Sequence, residues 1–199
     1  MSSKPQRRIK IKDFKRICRA IATYEDLDML FRHLVEVISR AFKVKGCSLL
    51  LLDEYEKQLI RVSSYGISEA YLNKGPVFMD ASESALIKCE PVFVKDMQKD
   101  PRIQYPQAAA REGIISLLSF PMICREKVIG VTRLYHSEYW ALHEEDLDLL
   151  CVMHRFLAFV IDNNGLMNFL EQVKIEITKL PPRLLGRAGG EFEESHHHD

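Results

Sequence analysis

The amino-acid sequence predicts an α+β domain with one antiparallel sheet, helices on one face of the sheet and an irregular lid on the other. Two pairs of strand-like apolar segments favour this class, and amphipathic helical segments precede the first pair and follow the second. Helices that bracket paired strands pack on one face of the sheet. The segment between the two pairs, residues 67–113, is the material left to cover the other face.

Two helices are predicted before the first strand. Apolar residues spaced three and four apart from Ile11 to Ile21 indicate a short amphipathic helix. Thr23 is predicted to cap the next helix, with Asp26 at the capping-box position. Gly46 ends the helical pattern. The second helix carries its apolar residues on one face: Leu27, Leu30, Phe31, Leu34, Ile38 and Phe42.

Two hairpins are predicted from the apolar segments. The first joins a strand at residues 47–52 to a return strand at 58–65 through a charged turn at 53–57. The second joins residues 114–124 to residues 128–136 through a short basic turn.

The segment between the hairpins is predicted to hold short elements only. These are a brief helix over residues 82–88, a strand at 92–94 and a helix at 107–112. Pro106 suits the first position of that last helix, and Gly113 suits its end. An irregular lid over an open sheet face is where a ligand pocket forms.

The final helix is predicted to start near His143, where three acidic residues, 144–146, face the positive end of the helix dipole. Along it, apolar residues alternate three and four apart, which is the seam of a coiled coil with one polar member, Asn163. The seam comprises Leu149, Val152, Phe156, Phe159, Asn163, Leu166, Leu170, Val173, Ile177 and Leu180. It predicts a homodimer. The alternative is that residues 163–165 end the helix and the rest folds back.

Composition restricts the partners. The chain has 199 residues, 47% of them hydrophobic, and a formal net charge of zero. A neutral chain has no general attraction for nucleic acid or an anionic membrane, and the basic residues near the start suit a solvated helix face. Without an apolar leader or membrane span, we expect a cytoplasmic protein. Its five cysteines lack a CxxC pair and are predicted to be reduced thiols.

Taken in order, these segments resemble the GAF domain family over about residues 23–163. The pieces that carry the resemblance are residues 27–42, 47–53, Ser63-Ser64-Tyr65-Gly66, 114–121, 128–131 and 144–150. The resemblance implies a six-stranded antiparallel sheet, with the terminal helices on one face and a ligand cavity under the lid on the other.

The family's known ligand motifs do not name the ligand here. Asn73-Lys74 resembles the Asn-Lys pair of cyclic-nucleotide-binding members, but the Phe and Asp-Glu that accompany it are absent. Cys89 is followed by Glu90, not by the His of bilin-binding members. We recognise no bilin, haem or metal motif, so the cofactor stays unknown.

Polar residues of the lid and strands are the candidate ligand contacts. Arg111 is the preferred one, because it lies beside the Gly113 hinge and an arginine can hold an anionic group. Ser116 and Ser119 fall on opposite faces of a regular strand, so at most one lines the cavity. The candidate set is Arg111, Tyr105, Arg102, Tyr65, Ser116, Asn73 and Arg133.

The sequence therefore predicts a ligand-sensing, dimerising regulatory domain of a bacterial-type signalling system, with a separate or fused output domain. The predicted division is an N-terminal helix at 1–22, a GAF domain at 23–163, a dimerisation helix at 164–180 and a disordered tail at 181–199. We do not expect an enzyme. Two alternatives remain: a thiol-based free methionine sulfoxide reductase using Cys89 and Cys124, and a ligand-free dimerisation scaffold.

Overall fold

The computed structural model describes residues 11–23, 26–78, 85, 89–140 and 142–178. In chain order the helices and strands are α1 (Ile11–Thr23), α2 (Leu27–Phe42), β1 (Gly46–Asp53), β2 (Gln58–Tyr65), α3 (Glu69–Leu72), β3 (Val77–Phe78), β4 (Val92–Val94), α4 (Pro106–Glu112), β5 (Ser116–Cys124), β6 (Lys127–His136) and α5 (Glu144–Thr178). The strands form one six-stranded sheet in the order β3-β2-β1-β6-β5-β4. Every pairing is antiparallel, which confirms the predicted α+β class.

Asp26, not Thr23, caps the second helix. The Asp26 carboxylate accepts hydrogen bonds from the backbone N–H groups of Asp28, at 2.8 Å, and Met29, at 3.4 Å. Thr23 is the last residue of α1, and its hydroxyl donates to the Arg19 carbonyl at 2.8 Å. The prediction for Thr23 was wrong because α2 begins at Leu27, three residues later than expected. There the Asp26 carboxylate satisfies the free N–H groups of the first turn and adds a favourable charge.

The end of α2 also differs from the prediction. The helix stops at Phe42, because Lys43 takes the left-handed conformation with φ at 54°. Gly46, predicted as the end of the helical pattern, is the first residue of β1.

The two hairpins lie where the sequence places them. In the first, β1 pairs with β2 from Cys47 opposite Tyr65 to Asp53 opposite Gln58, with a register shift beside Leu49. In the second, β5 begins at Ser116, later than predicted, and Arg125 and Glu126 form the turn with φ of 47° and 65°. The predicted strand at Val92–Val94 is present, as is the helix opened by Pro106 and ended by Gly113.

The sheet separates two groups of buried side chains. On one face, which we call the helix side, α1, α2 and the first part of α5 pack on the central strands. Core residues of this side include Ile17, Leu34, Phe42, Leu49, Phe120, Leu134, Leu150 and Leu157. On the other face, the lid side, two smaller clusters hold the described parts of the lid, residues 67–78, 85 and 89–114, against the sheet. The lid therefore covers the face that the terminal helices leave open.

The chain divides into two compact units, residues 1–162 and 163–199. Helix α5 starts with three acidic residues, Glu144, Glu145 and Asp146, whose charges interact favourably with the helix dipole. Residues 163–165 lie within this helix, so the alternative in which they end it is wrong. Of the predicted helix at 82–88, only residue 85 is described, and the tail at 181–199 and Leu180 lie outside the described residues.

Among the helices of the described residues, none combines the length and apolar character that a membrane span requires.

Candidate functional site

A cavity lies between the lid side of the sheet and the lid, within the first unit. Its volume is about 70 Å³, which is small beside the pockets of drug-sized ligands. The sheet contributes Leu59, Leu117, Ser119, Val131 and Arg133 to its lining. The lid and edge strands contribute Tyr71, Lys74, Val77, Phe78, Ala85, Val92, Val94, Met97, Arg102, Ile103, Gln104 and Tyr105.

A polar row crosses the sheet beneath the lid. Strand pairing places Ser64, Ser48, Arg133 and Ser119 side by side on β2, β1, β6 and β5. The hydroxyls of Ser48 and Ser64 are hydrogen bonded at 3.0 Å. Residues that are directly paired across neighbouring strands point to the same face of the sheet, so these polar groups share one face. Arg133 and Ser119 line the cavity.

Arg133 is the central charge of this row. Its Nε is buried and has no hydrogen-bond partner among the described residues. A buried charge without a partner is costly, so most are paired. Arg102 shows the usual arrangement in the same cavity: its guanidinium binds both oxygens of Asp100, with Nε 2.7 Å from Oδ1. This contact holds the pKa of the Asp100 carboxyl below its usual range.

Lys74 brings a second charge to the cavity from the lid. Its Nζ lies 4.0 Å from the centroid of the Tyr71 ring and donates to the Tyr71 carbonyl at 3.3 Å. Burial, followed by the charges of Arg133 and Arg61, lowers the pKa of Lys74 to about 8. Arg61 lines an adjoining cleft of about 240 Å³ together with Lys74. Lys74 therefore lines both spaces, with Arg133 beside it in the cavity and the exposed Arg61 beside it in the adjoining cleft.

Tyr105 forms a wall between the cavity and an open groove. Its hydroxyl donates to the Pro76 carbonyl at 2.7 Å. Gln104 beside it binds both the N–H and the carbonyl of Phe78, each at 3.2 Å. The groove outside has a volume of about 550 Å³ and shares Tyr71, Lys74, Gln104 and Tyr105 with the cavity. Movement of this wall would join the two spaces.

Three of the predicted contact residues line the cavity: Tyr105, Arg102 and Arg133. Arg111 does not. Its exposed side chain lines the outer groove, because α4 presents it away from the sheet. Asn73 ends helix α3 and is not among the cavity-lining residues.

The two remaining predicted contacts lie on the helix side. Tyr65 packs against the helix-side core, and its hydroxyl accepts from the Arg40 guanidinium at 3.3 Å. Ser116 is buried and donates to the Glu138 carbonyl at 2.7 Å. Strand alternation gives Ser119 the cavity position instead, so placing Ser116 there was a mistake of strand face.

Lys74 is one of the polar lid residues that the sequence suggests could face a ligand, although it is not in the preferred set. Arg61, Ser48 and Ser64 were not predicted as contacts. Their only sequence signal is strand alternation. Leu59 and Arg61 share a face of the sheet, as do Ser48 and Leu50. The register shift beside Leu49 interrupts the alternation, so the sequence does not indicate which residues of β2 face the lid.

All five cysteines are free thiols. Cys124 belongs to the helix-side core, whereas Cys89 is exposed. Burial, and then the Asp162 carboxylate, raise the pKa of the Cys124 thiol. The thiolate needed for redox chemistry is therefore disfavoured at Cys124.

A second surface runs along α5. Within the first unit, Val152, Phe156 and Phe159 are 45%, 57% and 57% exposed, while Leu149 is partly buried against the helix-side core. Within the second unit, Leu166, Leu170 and Val173 are exposed, and so is Asn163. We call these residues the apolar stripe. Meanwhile Leu150, Met153, Leu157 and Ala158 are buried in the core of the first unit.

The fold and the lid agree with comparisons to known proteins. The GAF domain family matches residues 26–161, so the chain belongs to this family. GAF domains are generally regulatory or sensory domains. No curated protein sequence matches the chain.

Solved structures of the same fold include GAF domains of phosphotransferases and a reductase. The chain is similar to the GAF domain of an Acinetobacter phosphoenolpyruvate-protein phosphotransferase, with 22% identity, 79% of this chain and 96% of that chain covered, and a TM-score of 0.66. The corresponding domain from Coxiella burnetii is 17% identical, with 79% and 95% covered and a TM-score of 0.69. A free methionine-R-sulfoxide reductase from Neisseria meningitidis is 16% identical, with 81% and 96% covered and a TM-score of 0.63. These similarities show the fold.

Proposed function

We propose that this chain is a ligand-sensing regulatory domain that binds a small molecule in the cavity under the lid and works as a homodimer through the apolar stripe. The observation that carries the proposal is the cavity itself. It has a polar floor, with Arg133 and Ser119, and a wall at Tyr105 that separates it from an open groove. A domain serving only as a scaffold has no need of an arginine whose Nε is buried without an acceptor, among the described residues, beneath its lid.

The sheet offers a direct route from the cavity to the dimer helix. On β5, Ser119 lines the cavity, and the next residue, Phe120, packs in the helix-side core with α5. On β6, Arg133 lines the cavity and the next residue, Leu134, packs in the helix-side core. A ligand that shifts either strand changes the packing of α5 in the same movement. The output is then a fused or separate partner that responds to the helices.

Native mass spectrometry of freshly purified full-length chain tests the proposal directly. We expect a dimer carrying one small molecule per subunit, which denaturation releases. A ligand-free monomer at micromolar concentration, with no response of its melting temperature to any small molecule, would favour the scaffold alternative. A ligand that prefers the native state raises the melting temperature by mass action.

Arg111 gives a matched comparison within this proposal. Arg111→Ala was the change expected from sequence to weaken binding, but Arg111 lies in the outer groove. We now expect it to leave affinity within about twofold, whereas loss of a charged hydrogen bond at Arg133 costs roughly 1.5–3 kcal/mol.

A further inference from the structure

We propose that the cavity recognises a small organic dianion, a dicarboxylate or a phosphate monoester, held between Arg133 on the sheet and Lys74 on the lid. This inference rests on the proposed function, because it assigns a chemical class to the ligand of the same cavity. It starts from charge. Arg133 and Lys74 line the cavity and Arg61 lines the adjoining cleft, and none of them has an ion-pair partner among residues 11–23, 26–78, 85, 89–140 and 142–178.

Several other arginines of the first unit are paired with carboxylates. Arg32 pairs with Asp28 at 2.7 Å and Arg40 with Glu36 at 2.8 Å, both on the exposed surface. Arg102, in the cavity, pairs with Asp100. Only the deeper Arg133 keeps a buried Nε without an acceptor in the described part of the chain. An anionic guest would supply the acceptors that this guanidinium needs, in the two-pronged geometry that carboxylates and phosphates share.

Lys74 supplies the opposing contact. An ammonium has three donors, and the Tyr71 carbonyl accepts from one of them. Its neighbours add repulsion, since the charges of Arg133 and Arg61 act together with burial to lower the pKa of Lys74. An anion between Lys74 and Arg133 would replace that repulsion with attraction to both groups. Three cationic side chains line the cavity, and Asp100 already pairs with Arg102, so two charges on the guest balance Lys74 and Arg133.

The size and walls of the cavity restrict the guest further. A cavity of about 70 Å³ has room for roughly five water molecules, each needing about 10–15 Å³. That space suits a phosphate group or a dicarboxylate of about four carbons. The walls around Arg133 are apolar at Leu117, Val131 and Val94, which suits a short carbon skeleton. Ser119 adds a hydroxyl beside the guanidinium on the adjoining strand.

Titration calorimetry of the full chain tests this class with three probes. Succinate carries two carboxylates, inorganic phosphate has the charge without the carbon skeleton, and succinamide has the shape of succinate without charge. The variants are Arg133→Met and Lys74→Met, which remove one cation each. The matched control is Arg111→Met, since Arg111 lies in the outer groove.

We expect succinate or phosphate to bind and succinamide not to bind. Arg133→Met and Lys74→Met should each weaken binding by about tenfold to a hundredfold, the range of a lost hydrogen bond to a charged group. Arg111→Met should stay within about twofold. In the absence of anion, Arg133→Met should melt at the same temperature as the wild type or higher, because it removes a half-buried guanidinium whose Nε has no acceptor among the described residues. A residue with a merely structural role would not combine lost binding with retained stability.

Other outcomes would overturn the proposal, and they separate it from the proposed function. Equal binding of succinate and succinamide, or unchanged affinity in Arg133→Met, would contradict the anionic class. If no probe binds but native mass spectrometry finds another small molecule, the class is wrong and the sensor function stands. If neither occurs, both fail.

A further variant tests whether carboxylates of the chain itself, within the lid sequence, supply the counter-charge. Asp80 and Glu83 lie outside the described residues. If succinate binds only when both are neutralised, in the variant Asp80→Asn with Glu83→Gln, the counter-charge belongs to the chain and the proposal falls.

Discussion

The imidazole of His154 lies parallel to the ring of Phe120, with 5.0 Å between their centroids and 7° between their planes. His154 is on α5, and Phe120 is on β5, beside the cavity-lining Ser119. The His154 Nδ1 lies 2.6 Å from the Leu150 carbonyl, and its Nε2 is buried without a hydrogen-bond partner among the described residues. The neutral tautomer with a proton on Nδ1 satisfies this arrangement. A protonated ring would bury an unpartnered charge.

Stability should therefore fall in mild acid because of His154. Burial lowers its pKa to about 4 from an ordinary value of 6.5. Between these two pH values the unfolded chain binds the proton and the folded chain does not, so the free energy of unfolding decreases as the pH falls from 6.5 towards 4. The full loss is about 3 kcal/mol.

Urea unfolding at several pH values measures this effect. His154→Phe keeps an aromatic ring on Phe120 but does not titrate, and His154→Gln serves as a second variant. Carboxylates contribute equally to both curves, so the difference between wild type and variant isolates the histidine. Parallel pH profiles would contradict the prediction.

The apolar stripe should control association. Replacing Phe156 and Phe159 with Ser removes two rings that are each 57% exposed, so the fold of the first unit should be retained. If the stripe forms the dimer interface, burial of each ring contributes about 2 kcal/mol, and the dimer should dissociate with a Kd at least a hundredfold higher. Sedimentation analysis checks this. Arg155→Ser, an exposed change on the same helix, is the control, and equal weakening by both would count against the stripe.

Gly75 should limit the position of the Tyr105 wall. Its φ is 128°, and an added Cβ would lie 2.6 Å from the Tyr105 hydroxyl oxygen. Gly75→Ala should cost about 1–3 kcal/mol of stability from backbone strain, plus the displacement of the ring. In a Tyr105→Ala background only the strain remains, so the cost should be smaller. Thermal or urea unfolding of the four proteins gives the coupling. Strictly additive effects would show that the ring moves freely.

The chain should not reduce free methionine sulfoxide. Cys124 packs in the helix-side core, where burial and the Asp162 carboxylate raise the pKa of its thiol, whereas Cys89 is exposed. An assay with free methionine sulfoxide and a thiol reductant, followed by chromatography of methionine, should show no turnover above buffer. Turnover that disappears in Cys89→Ser would instead establish the reductase alternative.

The strands were easier to predict than the site. The hairpins were recognisable because their apolar segments are long and bounded by charged turns, and the strand at Val92–Val94 followed a proline. Helix α3 and strand β3 were missed, since four and two residues carry no periodic pattern. The favoured Arg111 was misplaced because a helix of seven residues gives no phase relative to the sheet.

Arg133 was among the candidates because it is a charged residue within a predicted strand. Its lack of an acid partner depends on residues far apart in the chain, from Arg61 to Asp100, and no local pattern encodes it. Lys74 acquires its meaning only through burial against Tyr71. Which charged side chains lie near one another depends on the fold, and the sequence alone does not indicate it.

The two outermost strands of the sheet, β3 and β4, have two and three residues. A second chain that added to either edge in the described structure would gain only a few main-chain hydrogen bonds, which makes a continuous intermolecular sheet unfavourable. Long, flat edges are what lead many β-rich domains to aggregate or swap strands. This chain can expose an apolar surface on a helix without that hazard, because side chains of a helix pair only with a partner of matching shape and register.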